Sequence, residues 1–185
     1  MLVAACDAHL HVVRLADGTL VRKIRLGAVS GAAAAVNAGR VFLATYGQEV
    51  LGIDWQTGKI AWRFEDPDRQ FPFLSSAAVT AELILVGGQD KRLHALDPET
   101  GKERWKFVAK GRIDSSPVVA AWRVFFGSAD GNLYALDRET GRETWRFEAG
   151  AAISASPAVG ESCLVVGTEA GVIYCLGEQT RGDVH

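Results

Sequence analysis

The stretch ALDRETGRETWRFEAG, residues 135–150, contains the pattern that decides the fold. The same pattern occurs as ALDPETGKERWKFVAK at 95–110 and as GIDWQTGKIAWRFEDP at 52–67. The glycine that ends each Asp-x-x-Thr-Gly segment falls at Gly58, Gly101 and Gly141. Steps of 43 and 40 residues between these glycines are typical of repeat architectures, whose units are about 20–50 residues long.

Two other landmarks keep the same spacing. A tryptophan follows each glycine, at Trp62, Trp105 and Trp145. Serine-containing segments recur as SSAAV at 75–79, SSPVV at 115–119 and SASPAV at 154–159. The longer step of 43 comes from three extra residues in EDPDRQFPF, residues 65–73. All landmarks therefore share one register, and a unit of about 40 residues is repeated along the chain.

Each unit is predicted to form four short strands. In the third full copy, turn residues and apolar runs place them at 116–120, 123–128, 132–137 and 143–147. The aspartates of the repeated motif are predicted to begin type I turns, because their side chains accept backbone N–H bonds, and the glycines to close them with positive φ. These turn residues are Asp54, Gly58, Asp97, Gly101, Asp137 and Gly141.

The third strand of each unit is apolar on both faces. Leu133 and Leu136 are three residues apart, so they face opposite sides of the strand, and their equivalents in the other copies are also apolar. Small residues at the position of Ala135 predict a close approach of the neighbouring sheet. Four-stranded antiparallel units of this length, buried on both faces, are the blades of a β-propeller. The predicted fold class is therefore an all-β propeller.

The chain is predicted to be one propeller domain, 1–185, with three complete blades and two partial ones. Met1 aligns with Val41 inside the second strand, so the first copy lacks its innermost strand, and no fourth strand follows residue 176. A five-bladed ring and an arc of a larger propeller both fit this pattern. The incomplete terminal blades predict self-association through 1–14 and 156–176. The approximate repeats are 1–26 (partial), 32–64, 76–107, 116–147 and 156–176 (partial).

The segment SSPVV, followed by VFFGSADGNLYALDRETGRETWRF, resembles the repeat of the pyrroloquinoline-quinone-type propellers. That family includes the quinoprotein dehydrogenases and the BamB-like outer-membrane assembly lipoproteins. The resemblance extends over residues 1–176. It implies that Trp62, Trp105 and Trp145 dock between neighbouring blades. It also implies an extracytoplasmic location if the chain is a fragment of a longer protein, although the sequence itself does not fix a compartment.

Composition excludes several classes of function. Twenty Lys and Arg against 22 Asp and Glu give a net charge of −2, so no basic excess indicates nucleic-acid binding. No apolar run reaches the length of a membrane span, so membrane insertion is not expected. The start, MLVAACDAHLHVVR, lacks the basic n-region of a signal peptide. The three cysteines include no adjacent or Cys-x-x-Cys pair and are predicted to be free thiols.

No catalytic, cofactor or metal site is predicted, and the chain is not expected to be an enzyme. Three equivalent aspartates on three blades are turn residues, since an acid/base pair is a unique constellation. The vicinal cysteines of quinoprotein dehydrogenases have no counterpart. Cys6, His9 and His11 suggest a metal site, but His11 occupies a packing position and His9 one predicted to be solvated. The solvated position is shared with Glu49, Arg92 and Asn132.

A partner-binding surface is predicted at the end of the propeller that contains the 65–73 insertion. Arginines and aromatic residues on loops of a rigid scaffold are common interface anchors. The alternative for Phe71 and Phe73 is packing on the neighbouring blade, and Trp55 and Trp122 form a weaker candidate surface at the opposite end. The candidate partner-binding residues are Arg69, Phe71, Phe73, Lys91, Arg92 and Arg112.

The predicted function is a non-enzymatic scaffold for protein–protein interaction, as the resemblance to BamB-like assembly factors implies. Two alternatives stay open. One is a remnant of a quinoprotein dehydrogenase that binds the quinone or a metal. The other is a sensory or docking domain of a larger cytoplasmic protein.

Overall fold

The computed structural model describes residues 1–161 and 163–177, and in these residues all regular secondary structure is β-strand. Five antiparallel sheets follow one another along the chain. They are blade 1 (β1 Leu2–Ala5, β2 His9–Val13, β3 Leu20–Arg25), blade 2 (β4 Ala35–Asn37, β5 Arg40–Ala44, β6 Glu49–Asp54, β7 Lys59–Glu65), blade 3 (β8 Ala78–Val79, β9 Ile84–Gly87, β10 Arg92–Leu96, β11 Glu103–Val108), blade 4 (β12 Val118–Ala120, β13 Arg123–Gly127, β14 Asn132–Asp137, β15 Glu143–Glu148) and blade 5 (β16 Ala158–Val159, β17 Cys163–Gly167, β18 Ile173–Gly177).

Each sheet is a simple meander in which every strand pairs with the next one along the chain. The four strands of blade 4 match the predicted ranges to within two residues. Blade 1 begins with the strand that corresponds to β5 of blade 2, as the alignment of Met1 with Val41 predicted. The prediction of an all-β propeller is confirmed.

The core consists of four hydrophobic clusters, one between each pair of successive blades. In blade 4, Leu133 contributes to the cluster with blade 5, whereas Leu136 contributes to the cluster with blade 3. Both side chains are fully buried. The sheets of blades 2 to 4 are thus covered on both faces, as their doubly apolar third strands predicted.

The two terminal blades are each covered on one face only. In β2, Leu10 and Val12 are buried against blade 2, while His9 and His11 on the other face are half-buried. In blade 5, Ile173 is 74% exposed, although its equivalents in the other four blades are fully buried. Within residues 1–161 and 163–177 no cluster joins blade 5 to blade 1. The structure is therefore a propeller arc, not the five-bladed ring that the sequence left open.

The repeated motif forms the same turn in successive blades. The Oδ1 atom of Asp97 accepts hydrogen bonds from the amides of Glu99 and Thr100, at 3.0 and 2.8 Å. The amide of Gly101 donates to the carbonyl of Asp97 at 2.8 Å, and its φ is 70°. Asp54 with Gly58 and Asp137 with Gly141 repeat this geometry. The carboxylates of these aspartates therefore act as hydrogen-bond acceptors for backbone amides of the turn.

The motif tryptophans reach across to the turn of the next blade. Trp62 Nε1 donates to the Pro98 carbonyl at 3.0 Å, and its ring lies against Gly101. Trp105 does the same with the Arg138 carbonyl, at 3.1 Å, and with Gly141. For Trp145 the equivalent sequence positions follow Gly177 and lie outside the described residues. Tryptophan and turn thus form one inter-blade joint, which explains why both recur together.

The recurring serines link the innermost strands. Ser76 Oγ accepts the amide of Ala33 at 2.8 Å, and the amide of Ser76 donates to Ser116 Oγ at 2.9 Å. The amide of Ser116 in turn donates to Ser156 Oγ at 3.0 Å. These hydroxyls satisfy backbone donors of the preceding blade, which gives the repeated serine a structural role.

Substituting Gly101 by alanine is expected to destabilise the chain more than the same change at Gly18. Both glycines have φ near 70°, which costs an L-residue about 1–2 kcal/mol. A Cβ at Gly101 would also lie 2.5 Å from the ring of Trp62, whereas a Cβ at Gly18 meets no atom within 4 Å. Overpacking adds about 1–3 kcal/mol for Gly101→Ala. Urea unfolding measures the loss of stability in each variant. Equal losses in Gly101→Ala and Gly18→Ala would contradict a close contact between Gly101 and the Trp62 ring.

Candidate partner-binding surface

Three segments meet at the end of the arc that contains the insertion. The amide of Gln89, in the β9–β10 hairpin, donates to the carbonyl of Pro72 at 3.2 Å. The amide of Ala109, in the loop after β11, donates to the carbonyl of Lys91 at 2.9 Å. Insertion 65–73, hairpin 88–91 and loop 109–114 therefore form one continuous surface, called here the loop-end surface.

Four of the six candidate residues are exposed on this surface: Arg69, Phe71, Lys91 and Arg112. Phe71 is 46% exposed, a large fraction for a phenylalanine. Arg69 Nη1 donates to the Asp90 carbonyl at 3.1 Å, which holds this side chain beside the hairpin. Arg112 Nε donates to Asp114 Oδ2 at 2.6 Å. The surface thus combines an exposed aromatic ring with fixed cationic side chains.

Two candidates are corrected by the structure. Phe73 is buried, 3% exposed, and its ring packs 5.5 Å from His94 and 6.2 Å from Phe64. The Arg92 side chain is 11% exposed and its guanidinium binds Asp66. Neither side chain can anchor a partner without unpacking the junction of blades 2 and 3. For Phe73 the alternative of packing on the neighbouring blade is therefore the correct one.

A buried ionic network lies directly beneath the insertion. His94 is fully buried, and Nε2 lies 3.1 Å from Asp90 Oδ2 while Nδ1 lies 2.7 Å from Glu103 Oε1. Arg92 Nη1 binds Asp66 Oδ2. Both ring nitrogens of His94 face carboxylate oxygens, an arrangement in which the imidazolium donates both bonds. The network ties insertion residue Asp66 to strand β10 of blade 3.

The pKa of His94 is raised above its usual value. Burial by itself disfavours the imidazolium, but hydrogen bonds to Asp90 and Glu103 outweigh it. The pKa of Glu103 is lowered, chiefly by its hydrogen bond to His94. The histidine and its carboxylate neighbours are therefore a mutually stabilised set of charges.

Asp66, Asp90 and His94 have the side-chain types and the spacing of metal ligands, because one ligand atom from each lies within 4.8 Å of the others. The positive charge among them is already supplied by the protein. Arg92 binds Asp66, and the His94 ring donates to Asp90. A metal ion would have to displace the guanidinium and deprotonate the imidazolium. The donor set therefore fits an internal ion network better than a metal centre.

The repeat register does not predict this ionic network, because it places Arg92 at a position expected to be solvated. In the structure, Glu49 and Asn132 at that position are buried and Arg92 is mostly buried. The sequence pattern that does indicate the ionic network is an aspartate four residues before a histidine or tyrosine. That pair occurs as Asp7–His11, at 3.0 Å, Asp90–His94, at 3.1 Å, and Asp130–Tyr134, at 2.9 Å.

Stability is expected to fall above pH 6.5 because of His94. A raised folded pKa means that its stabilising contribution is complete below the unfolded value of about 6.5 and is lost as pH rises through the folded value. Tyr134 is the equivalent of His94 in blade 4. In the variant His94→Tyr, the part of the pH dependence that comes from His94 should therefore disappear. Melting temperatures of both proteins between pH 5.5 and 9 measure it, and parallel curves would contradict the charged state of His94.

The opposite end of the arc offers less for a partner. Trp122 is 51% exposed, but the guanidinium of Arg123 lies 4.2 Å from the centre of its ring. Trp55 is half-buried and packs on the cluster between blades 1 and 2. Each ring already has an intramolecular partner, so the loop-end surface is the stronger candidate.

The fold and its inter-blade joints define a β-propeller of the pyrroloquinoline-quinone type. The family model described as outer membrane protein assembly factor BamB matches residues 1–105 and 75–176. The chain therefore belongs to the BamB family of β-propellers, as the repeat predicted. In the described residues there is no helix of the length and apolarity needed to cross a membrane.

Two of the similar solved structures are about twice as long as this chain. BamB from Moraxella catarrhalis superposes with a TM-score of 0.83 at 19% identity, over 96% of this chain and 54% of that one. The computationally designed protein Ika8 gives 0.82 at 15% identity, over 96% and 55%. The designed protein Ika4 gives 0.68 at 15% identity, over 80% and 92%. The chain thus spans about half the length of the two structures that it matches best among these three.

One curated relative is the serine/threonine-protein kinase AfsK from Streptomyces griseus. It is 33% identical over 84 residues, which is 44% of this chain and 10% of the kinase. The chain therefore spans a small part of that relative.

Proposed function

We propose that this chain is a non-enzymatic scaffold that binds a protein partner through the loop-end surface. The observation that supports this most is Phe71, an exposed aromatic ring flanked by Arg69 on a segment that interrupts the repeat. Exposed aromatic and arginine side chains are enriched among interface residues that dominate binding energy. A buried repeat position can be explained by the packing of the blade, whereas the exposed ring of Phe71 cannot.

The surface is suited to binding because its base is rigid. Phe73 and Asp66, on either side of the exposed segment, are anchored in the core and in the ionic network. The Pro72 carbonyl is bonded to hairpin residue Gln89. A loop held at several points loses less conformational entropy when a partner binds. We infer a partner with an apolar pocket for Phe71 and an acidic rim for the arginine and lysine side chains.

Membership of the BamB family supports a role in the assembly of other proteins, since the family description names an outer membrane protein assembly factor. The similarity to AfsK supports a second candidate, a docking or sensory part of a larger protein, because the matched segment belongs to a protein kinase. The two candidates share the proposed surface and differ in the partner. The quinoprotein alternative gains no comparable support, and titration with pyrroloquinoline quinone is expected to leave the quinone absorbance unchanged.

The experiment is site-specific photo-crosslinking in the native host. A photoreactive phenylalanine analogue replaces Phe71 in one variant and Trp122 in a matched control at the opposite end. We expect one discrete crosslinked protein from position 71 and none from position 122. With that partner purified, Phe71→Ala should weaken binding by about tenfold or more, the effect of losing an anchor residue. Crosslinks from position 122 alone, or unchanged affinity for Phe71→Ala, would refute the proposal.

A further inference from the structure

The guanidinium of Arg40, in blade 2, is bound by the turn of blade 3. Its Nη1 atom donates to the carbonyls of Pro98 and Glu99, at 3.0 and 2.9 Å. Its Nη2 atom lies 2.8 Å from Glu99 Oε2. Two backbone carbonyls and one carboxylate, called here the acceptor set, thus hold one guanidinium group. The forked, planar donors of arginine suit such a set of oxygens.

The turn of blade 4 contains the same acceptor set. Arg138 and Glu139 follow Pro98 and Glu99 by one repeat of 40 residues, so two carbonyls and a glutamate carboxylate recur. The Arg138 carbonyl accepts a hydrogen bond from Trp105 Nε1 at 3.1 Å, just as the Pro98 carbonyl accepts one from the tryptophan of blade 2 at 3.0 Å. The two turns therefore present their oxygens to the preceding blade in the same way.

The side chain that faces the acceptor set differs between the two junctions. Leu83 follows Arg40 by the 43-residue step of the repeat, and the strand pairing gives the same alignment. Leucine cannot donate a hydrogen bond, and Leu83 is buried. Blade 4 again has an arginine, Arg123, at this position. The junction of blades 3 and 4 thus keeps the acceptors of the Arg40 contact without its donor.

An open cleft of about 420 Å³ lies at this junction. The residues that line it are Glu82, Leu83, Arg104, Arg138 and Glu139. The charge of Arg104 is balanced by its ion pair with Asp97. The other lining residues comprise two carboxylates and one guanidinium, so the cleft has an excess of negative charge. With Leu83 as an apolar wall, it suits a cation on a hydrocarbon stem.

We propose that this cleft binds an arginine side chain of a partner protein, in the position that Arg40 occupies one blade earlier. The guanidinium donates to the Arg138 and Glu139 carbonyls and pairs with the Glu139 carboxylate, while its stem lies on Leu83. The occupant is an arginine of a polypeptide because the chain itself places one on the equivalent turn. The cleft lies at the end of the arc opposite the loop-end surface, so the proposal does not depend on that surface.

The experiment is a titration of the isotope-labelled chain with N-acetyl-arginine amide, followed by NMR spectroscopy of the backbone amides. This probe carries the guanidinium without the charged ends of a free amino acid. We expect saturable shifts of the amides of Glu139 and Thr140. N-acetyl-citrulline amide has the same shape without the charge, and it should bind about tenfold more weakly, because hydrogen bonds to charged groups are the stronger ones.

Two variants change the number of sites in opposite directions. Leu83→Arg supplies an internal guanidinium, as in blade 2, so the shifts at Glu139 should be lost. Arg40→Leu removes the internal guanidinium of blade 2, so a second set of shifts should appear at Glu99. Arg14→Leu is the matched control, because the ion pair of Arg14 lies exposed in blade 1. The control should bind the probe as the parent does.

Four results would overturn the proposal. The first is a parent chain without saturable shifts at Glu139. The second is equal affinity for the citrulline analogue, which would exclude recognition of the guanidinium charge. The third is unchanged binding to a folded Leu83→Arg variant, or no second site in a folded Arg40→Leu variant. The fourth is tighter binding of free arginine than of the blocked probe, which would indicate an amino-acid ligand instead of a protein. The spectrum of each variant shows whether it is folded.

Discussion

Replacing Trp62 by alanine is expected to lower the free energy of unfolding by about 3–5 kcal/mol, as for other buried tryptophans. The ring is buried between blades 2 and 3, where it stacks on Phe42 at 5.9 Å and lies against Gly101. Its Nε1 also donates to the Pro98 carbonyl. Removal of the ring leaves a cavity at the joint. It also removes one of two hydrogen bonds to the Pro98 carbonyl, which keeps the bond from Arg40 Nη1 at 3.0 Å.

Urea unfolding followed by circular dichroism measures the change, with Trp122→Ala as the control. Trp122 is the same residue type at an exposed turn, so its truncation should cost about 1 kcal/mol, the size of a surface cation–π contact with Arg123. A Trp62→Ala variant that unfolds within 1 kcal/mol of the parent would contradict the joint. So would a Trp122→Ala variant that is equally destabilised.

The propeller fold was predictable because the sequence repeats both members of each joint. Gly101 must have positive φ and must lack a Cβ that would meet Trp62, so the motif residues constrain each other across blades. The strand ranges followed from the same register. What the register could not decide was closure. The exposure of Ile173, whose equivalents are buried, shows that blade 5 and blade 1 do not cover each other within the described residues.

The small residue at the position of Ala135 recurs for a different physical reason from the one expected. Small residues at the position of Ala135 were expected to allow a close approach of the neighbouring sheet. In the structure Gly52 lies opposite Trp62 of its own blade, and a Cβ there would be 2.2 Å from the indole. Ala95 and Ala135 lie opposite Trp105 and Trp145 in the same way. The small residue makes room for the tryptophan of the joint.

The loop-end surface was predictable in location but not in its residues. The three extra residues in 65–73 marked where the repeat is interrupted, and Phe71 is exposed there. Arg92 and Phe73 are of the same residue types as the exposed Arg69 and Phe71, yet their side chains point into the protein. The burial of Phe73 follows the repeat, because Ile113 and Ile153 stand at the same distance before the recurring serine segments and are fully buried. The burial of Arg92 follows instead from its contact with Asp66 of the insertion. A repeat pattern cannot predict a contact that occurs once.

Replacing Arg92 by methionine is expected to cost about 3–5 kcal/mol, the usual effect of removing one partner from a buried ion pair. Asp66 and Asp90 are both buried, and without the guanidinium their charges would lie near each other with only His94 to balance them. Methionine keeps most of the volume, so the loss is electrostatic more than steric. Arg104→Met is the matched control, because the Arg104 side chain is 61% exposed where it pairs with Asp97, and ion pairs at the surface contribute about 0–1 kcal/mol.

The double variant Asp66→Asn with Arg92→Met distinguishes an ionic network from simple packing. If the cost of Arg92→Met comes from the uncompensated Asp66 carboxylate, neutralising that carboxylate should restore a large part of the stability. The double variant would then be more stable than Arg92→Met alone, with a coupling of about 1 kcal/mol or more, which is typical of residues in direct contact. Additive losses would show that Arg92 stabilises the junction of blades 2 and 3 through its hydrocarbon stem. In that case the insertion, and Phe71 with it, is held by packing and not by the ionic network.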